Sequence, residues 1–465
     1  MPSQRSVISL LLVIGLVVVG SCYTPHPITH LPKTEGLFPR TLILALDGID
    51  HTLMAELRRE GYFKDFGATY PLISTFPSAT TIGFTGIFQP LNVGTVPGYE
   101  VRFFSKNENR VIGGTPKDIY KIPINYKYYF DVFRHTMQQK SLMYTFPGIA
   151  GREDRIHIEN KLFESSKRIL FTYIGSTDGS AHLLGRQRTK RYLIELSKFL
   201  ADLKVRYERE RGEPLKIVMF SDHGFEYTNL KTVSLGDMKK ALGAKGLQLN
   251  KTIENPGDVV AVRFGLISAA AFFTAEKNQA TVGRVLAGVD GVDLSFWPAG
   301  QSRIYVRNSQ GAEAYFEYAG KLRYRYVSIK GQDPLNYLPI LKGAGYADGH
   351  WLSDKEWQRL FFDHTYPDAG YRLYDAFFHL VDNRASVMIS LKHNYQYGST
   401  AAYMGASMQL GQNGTHGSFL KQSTWAFAMA TGELQAPKFL RYDDLFKHYL
   451  PQVVQALRGK QRGLH

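Results

Sequence analysis

The sequence contains a single cysteine, Cys22. A lone thiol has no partner in its own chain, so no disulfide framework holds the protein together. The chain also lacks any block of five or six consecutive basic residues, although Lys and Arg outnumber Asp and Glu by 56 to 41. That argues against a nucleic-acid-binding arm, and no specific nucleic-acid partner is expected. No internal repeat or low-complexity tract interrupts the 465 residues, which sets aside a solenoid. The apolar run from Val7 to Val19 is shorter than a membrane-spanning helix requires.

What is present describes an ordinary globular protein. Hydrophobic residues make up 44% of the chain and charged residues 21%, enough for one large domain or two to three average ones. The 28 Tyr and 29 Phe are read first as core and sheet packing, and second as the lining of a ligand site. A formal charge of +15 favours anionic partners such as phosphate esters and acidic lipid headgroups.

The N-terminus is more specific. Arg5, the apolar stretch Val7 to Val19 and the small residues Gly20-Ser21 form the three regions of a secretory signal. Val19-Gly20-Ser21-Cys22 resembles a bacterial lipobox, which makes Cys22 the expected lipidation site and residues 1–22 the signal peptide. The expected location is the bacterial cell envelope, lipid-anchored to membrane on its periplasmic or cell-surface side. Residues 23–39 are Pro-rich and aperiodic, a linker between anchor and domain.

Leu42 to Leu46 is a continuous apolar run of the kind a buried parallel strand shows. Leu53, Met54 and Leu57 follow at helical spacing, and Gly61 stops that helix. The alternation returns with a strand at Ile169–Ile174, a helix marked by Leu193, Leu196, Leu200, Leu203 and Tyr207, and a strand at Ile217–Phe220. Trp425–Ala430 reads as a further strand and Asp444–Leu450 as a closing helix. Such repetition predicts an α/β fold: a central, mostly parallel sheet with helices on both faces. Segments at 258–264, 292–297, 303–307 and 324–327 alternate with period two instead, as half-exposed antiparallel strands do. The expected organisation is a core in two parts, 40–229 and 401–465, around an inserted α+β cap at 230–400.

Four short segments end apolar runs with residues that bind divalent metal. They carry Asp47, the pair Asp178 and His182, the adjacent Asp222 and His223, and His416. Asp178 and His182, four apart, share one face if the segment is helical. Adjacent Asp222 and His223 both reach a site only at a tight turn, which Gly224 permits. Three Asp and three His make two three-residue ligand sets suited to Zn²⁺, with Mn²⁺ or Mg²⁺ also compatible. The segment Ser74-Thr-Phe-Pro-Ser-Ala-Thr-Thr81 adds hydroxyls, completing the inventory of a two-metal hydrolase with a covalent nucleophile.

In order and spacing these segments resemble the alkaline phosphatase superfamily, near its type I phosphodiesterase/nucleotide pyrophosphatase branch. The resemblance covers roughly Thr41 to His223 and Gly411 to Pro451. It rests on Leu-Ile-Leu-Ala-Leu-Asp-Gly, Thr-Phe-Pro-Ser-Ala-Thr-Thr, Ser-Thr-Asp-Gly-Ser-Ala-His, Phe-Ser-Asp-His-Gly and Asn-Gly-Thr-His-Gly. It implies an alkaline-phosphatase-like sheet, with Asp178, His182 and His416 on one metal and Asp47, Asp222 and His223 on the other. It also implies a phospho-threonine intermediate, later hydrolysed by water. Pyrophosphatases of the branch have the nucleophile before Phe-Pro, which selects Thr75; relatives with a Phe-Pro-Ser-x-Thr form select Thr80. Thr80 is preferred, because a helix starting near Ser78 would put it at a helix N-terminus. Thr75 and Thr81 then become capping hydroxyls. Ser78 departs from the branch, standing where a phosphate-binding Asn is expected. A sulfatase is disfavoured because the Pro- and Arg-containing pattern after the nucleophile is absent. A phosphomutase is disfavoured because such enzymes are cytosolic.

The expected protein is an exported phosphodiesterase with two divalent ions, Zn²⁺ or Mn²⁺, acting on a small-molecule, lipid or polymer phosphate ester. The alternatives are a phosphomonoesterase of the same superfamily and a non-catalytic phosphate-binding lipoprotein. The loops Gly98-Tyr99-Glu100 and Tyr126–Phe130 carry aromatics that either stack on a base or pack.

Overall fold

In the computed structural model the described residues are 40–113, 125–133, 139, 142–265, 267–398, 413–432, 438–449, 451 and 454. The expected signal peptide and linker, with Cys22, lie outside them.

Strand β1 (Arg40–Leu46) is buried along its whole length. Its alternate residues serve opposite layers: Leu42, Leu44 and Leu46 join one apolar cluster, Ile43 and Ala45 another. A strand covered on both faces needs apolar residues at every position, which is why it reads as an unbroken run. The chain continues through α1 (His51–Arg59), β2 (Tyr70–Ile73) and α2 (Thr80–Ile87). Then follow α3 (Pro147–Glu164), β3 (Ile169–Ile174), α4 (Ser176–Arg211) and β4 (Leu215–Ser221). A short ribbon strand, β5 (Glu226–Tyr227), closes this part.

The next segments build a second sheet. They are α5 (Leu235–Gly243), β6 (Gln248–Asn250), β7 (Asp258–Arg263), β8 (Ala269–Thr274), α6 (Gln279–Ala287), β9 (Val292–Ala299), β10 (Arg303–Asn308), β11 (Glu313–Tyr318) and β12 (Arg323–Lys330). After them come β13 (Leu352–Ser353), α7 (Asp354–Phe361), α8 (Ala369–Tyr374) and β14 (Val387–Leu391). The chain returns through β15 (Gly414–Thr415), β16 (Trp425–Ala430) and β17 (Leu440–Arg441).

The first sheet has six strands in the order β17-β2-β16-β4-β1-β3. β1 runs parallel to β3 and β4, and β2 parallel to β17, while β16 is antiparallel to both of its neighbours, β4 and β2. It is the mostly parallel sheet expected. Helices α1, α3 and α4 cover one face, with Leu53, Ile158 and Leu193 in their shared core; α2 covers the other through Phe84 and Ile87. Ligand sites in such sheets gather at the carboxyl ends of the strands.

The second sheet has nine strands in the order β13-β12-β11-β10-β9-β14-β8-β7-β6, all paired antiparallel except β7 with β6. One face packs with Phe76, Ala79 and Ile82 from the first part, so the sheet backs directly onto the hydroxyl-rich turn. The other face carries α5 and α6.

Three local features differ from expectation. The strand before His416 pairs with β5 as a two-stranded ribbon and not with the main sheet. The closing helix is a π-type turn at Leu445–Tyr449. The helix after the Ser-Thr-Phe-Pro turn begins at Thr80, two residues later than read, because Ala79, at its N-cap, stays extended.

Arg441, at the edge of the first sheet, ties the two parts together. Its guanidinium is buried, pairs with Asp368 and lies 2.8 Å from Asp354. Tyr371 is held between Arg441 and Lys321, 3.8 and 4.1 Å from its ring centre. Removing one partner of a buried pair strands the other charge. Arg441→Met is expected to lower the unfolding free energy by about 3–5 kcal/mol, read from the denaturant midpoint.

Candidate metal centre

Asp47 directly follows β1, and Asp222-His223 directly follow β4, so two neighbouring strand ends deliver three ligands to one place. Asp178 and His182 lie in the opening turns of α4, the helical alternative of the sequence reading. His416 follows ribbon strand β15. The structure brings all six side chains together. They form two groups, Asp47-Asp222-His223 and Asp178-His182-His416, with the ligand atoms of each group within 4.8 Å of one another.

Backbone fit makes this crowding possible. Gly48 adopts φ +65°, and a Cβ there would lie 2.8 Å from Asp178 Oδ1. Only glycine meets both demands. The Gly48 N–H donates to Asp222 Oδ1 at 3.2 Å, and Thr177 Oγ1 donates to the Asp47 carbonyl at 2.6 Å. Ser74 Oγ donates to the Asp222 carbonyl at 2.6 Å. Each loop is thus braced by the next.

The three imidazoles share one orientation rule. Nδ1 of His182 lies 3.0 Å from the Gly414 carbonyl, that of His223 2.9 Å from the Gly224 carbonyl, and that of His416 2.8 Å from the Ser78 carbonyl. A carbonyl accepts only, so each Nδ1 carries a proton and each Nε2 is the nitrogen turned toward the carboxylates. His182 Nε2 is 3.3 Å and His416 Nε2 3.7 Å from Asp178 Oδ1. His223 Nε2 is 3.3 Å from Asp47 Oδ1 and 3.7 Å from Asp222 Oδ2. His223 and His416 stack at 3.9 Å.

The electrostatics of this cluster are unbalanced. Burial, with Asp178 nearby, raises Asp47 above the usual carboxylate range, and burial raises Asp222 well above it. Burial tends to lower His223, but Asp222 and Asp47 outweigh it and bring His223 up to about 10. Burial and the neighbouring His223 push His416 well below its ordinary value. Asp178 Oδ1 and Asp222 Oδ2 are buried without a hydrogen-bond partner. Unpaired carboxylate oxygens beside imidazole Nε2 atoms fit divalent cations, and the mixed N/O donor set suits Zn²⁺ or Mn²⁺.

Thr80 Oγ1 donates to Asp47 Oδ1 at 3.3 Å and sits 3.5 Å from His223 Nε2. Thr75 points elsewhere: its Oγ1 donates to the Pro77 carbonyl at 3.1 Å, fully buried in the turn. Thr81 is not a capping hydroxyl, for it donates to Glu100 Oε2 at 3.1 Å.

Several contributors carry no sequence motif. Tyr173, whose strand neighbour is Ala45, donates to Asp47 Oδ2, and Tyr144 donates to Asp178 Oδ2 at 2.6 Å. The register of β1 against β3 is the signal that finds Tyr173. Arg372, fully buried in α8, donates to the Thr75 carbonyl and to Ser78 Oγ, both at 3.2 Å. Its other nitrogen reaches the Pro367 and Phe419 carbonyls. Burial lowers Arg372 to about 9. Ser78 is therefore held from the second sheet's layer on one side and by His416 on the other. Most of the loop aromatics pack: Tyr99 bonds the Ala376 carbonyl and Tyr126 packs on Phe84.

No protein-family model and no curated protein sequence matches the chain. Solved structures do match. Human ectonucleotide pyrophosphatase/phosphodiesterase 5 aligns with a TM-score of 0.50 and 11% identity, covering 90% of this chain and 95% of that one. Its murine counterpart gives 0.47 and 11% over the same shares. Phosphonoacetate hydrolase from Sinorhizobium meliloti 1021, in complex with phosphonoformate, gives 0.44 and 13% over 90% and 96%. The match to the human protein shows a shared fold, the one the sequence resemblance implied.

Ligands that bind only the folded state stabilise it by mass action. Zn²⁺ or Mn²⁺ is expected to raise the thermal midpoint of the chelator-treated protein by several degrees. Asp178→Asn combined with Asp222→Asn is expected to abolish that rise.

Proposed function

We propose that the chain is an exported two-metal phosphoric ester hydrolase, of the phosphodiesterase/nucleotide pyrophosphatase kind, acting through a phospho-threonine. One observation carries this reading: Thr80 Oγ1 lies beside one of two adjacent Asp/His triads that together turn inward three imidazole Nε2 atoms and two carboxylate oxygens without a hydrogen-bond donor. The human protein of the same fold is by name a nucleotide pyrophosphatase/phosphodiesterase.

Bound divalent cations would supply Lewis acidity, lowering the pKa of a coordinated hydroxyl and offsetting charge on phosphoryl oxygens. Asp47, Asp222 and His223 would hold one cation and Asp178, His182 and His416 the other. This chain's own part is alignment. The Thr80 hydroxyl proton is directed at Asp47 Oδ1, leaving an oxygen lone pair free to attack phosphorus. The Thr80 Oγ1–P bond forms as the bond from phosphorus to the leaving oxygen breaks; the Thr80 proton is given up to solvent, the leaving oxygen takes one from solvent and departs as the alcohol, and water then cleaves the phospho-threonine to restore the hydroxyl and release a phosphate monoester. Ser78, pinned by Arg372 and His416, fixes the turn that aims Thr80.

The purified metal-loaded protein is expected to hydrolyse bis-p-nitrophenyl phosphate. Thr80→Val should lower kcat by about 1,000-fold or more, whereas Thr75→Val should cost less than about tenfold. Asp222→Ala and His416→Ala should each remove metal-dependent turnover, and full activity in either would overturn the assignment. A passive phosphate binder would hydrolyse neither this diester nor p-nitrophenyl phosphate.

Export rests on the N-terminal Arg5, the apolar run and Cys22. Among the described residues no helix is long and apolar enough to cross a membrane. Cys22→Ser is expected to abolish metabolic labelling with a fatty acid and to shift the protein out of the membrane fraction. Retained labelling would refute lipidation at Cys22.

A further inference from the structure

Helix α2 opens at Thr80 with Ala79 at its N-cap, and Ala79 has no side chain able to accept a hydrogen bond. The exposed N–H groups of a helix start ordinarily attract a phosphate or a capping side chain. Here another residue takes that place. Glu100 Oε1 accepts from the Thr81 N–H at 3.0 Å, and Oε2 accepts from Thr81 Oγ1 at 3.1 Å and from the Val101 N–H at 3.2 Å. All three partners donate, which is the environment of an ionised carboxylate. Burial pushes the Glu100 carboxyl above its usual range, and these three donors pull it back. Among the described residues no cationic side chain forms an ion pair with it, and His223 favours its ionised form without pairing with it.

We propose that the Glu100 carboxylate makes this site select phosphodiesters over phosphomonoesters, by fixing a negative charge next to the residue that accepts the phosphoryl group. The inference rests on the reading of Thr80 as nucleophile. A diester carries one negative charge at neutral pH and a monoester close to two. The second charge of a monoester sits on a third free oxygen, where a diester has its second esterified oxygen. Bound on Thr80, either group has its phosphoryl oxygens close to the α2 N-terminus. Because Glu100 already occupies the Thr81 N–H, a third charged oxygen finds no donor there and faces a like charge. Rejection by a like charge is a strong and simple form of specificity. Thr80 and Glu100 are both partly shielded from solvent, so the repulsion is screened less than in open water.

The test compares metal-loaded wild type, Glu100→Gln and Thr81→Val. Glutamine keeps the shape and one acceptor but removes the charge; Thr81→Val keeps the charge and drops one contact. Glu100→Gln is expected to shift the kcat/KM ratio of p-nitrophenyl phosphate to bis-p-nitrophenyl phosphate by about tenfold or more toward the monoester. Inorganic phosphate should bind this variant about tenfold or more tightly by titration calorimetry, while Thr81→Val should keep the wild-type ratio and phosphate affinity. The proposal is overturned if Glu100→Gln changes neither quantity, or if Thr81→Val shifts both as far, since packing and not charge would then set the preference. Should no form hydrolyse either ester, the hydrolase reading falls, and the phosphate titration still decides whether Glu100 repels a doubly charged anion.

Discussion

Three carboxylates meet in a space that water barely reaches, and two of their oxygens have no donor. Everything around them follows from that concentration of negative charge. Such a cluster is unfavourable unless something divalent shares it, and the protein goes to considerable length to keep it intact. It ends two neighbouring strands there, opens a helix there, and uses a glycine at φ +65° so that Asp47 and Asp178 can approach. The imidazoles are arranged with equal care. Each is locked by a backbone carbonyl behind it, so ring orientation is decided by main-chain geometry and not by side-chain freedom.

The second sheet participates in this arrangement. Its front layer includes Phe76, Ala79 and Ile82, and α8 sends Arg372 into the turn that carries the hydroxyls. The turn is consequently held from both parts of the molecule. A buried guanidinium without a carboxylate partner is costly, and four carbonyl and hydroxyl acceptors offset that cost. Arg441 performs a related task on β17, the edge strand paired with β2 just before that turn, through Asp368 and Asp354.

Much of this could be read in advance, and for a definite reason. β1, β3 and β4 are covered on both faces and therefore appear as predominantly apolar runs, so the ends of β1 and β4, and with them Asp47, Asp222 and His223, are legible in the sequence. The helical spacing from Leu193 to Tyr207 marks the later part of α4 equally well. The choice between Thr75 and Thr80 was of another kind. Both are hydroxyls flanking one Phe-Pro pair, and only the path of the turn shows that Thr75 Oγ1 faces Pro77 while Thr80 Oγ1 faces Asp47. Tyr144, Glu100 and Arg372 lay beyond reach because their roles depend on long-range approach between segments that have no shared pattern, and Tyr173 emerges only from the register of β1 against β3. The pairing of the strand before His416 with β5 was hidden for a simpler reason. Two residues are too few to show any periodicity.

The long helix α4 is not continuous. At Gly185 the backbone turns to φ 71°, ψ −179°, and the carbonyls of His182 and Leu183 receive the main-chain and side-chain nitrogens of Asn413. A glycine break of this type is a mechanical joint. The short stub bearing Asp178 and His182 is stitched to the ribbon that bears His416, whereas the shaft from Arg186 to Arg211 runs away from it. The shaft is fixed against the sheet by Leu193, Leu196, Leu200 and Leu203, and the break lets the stub with Asp178 and His182 take a direction of its own toward the ribbon.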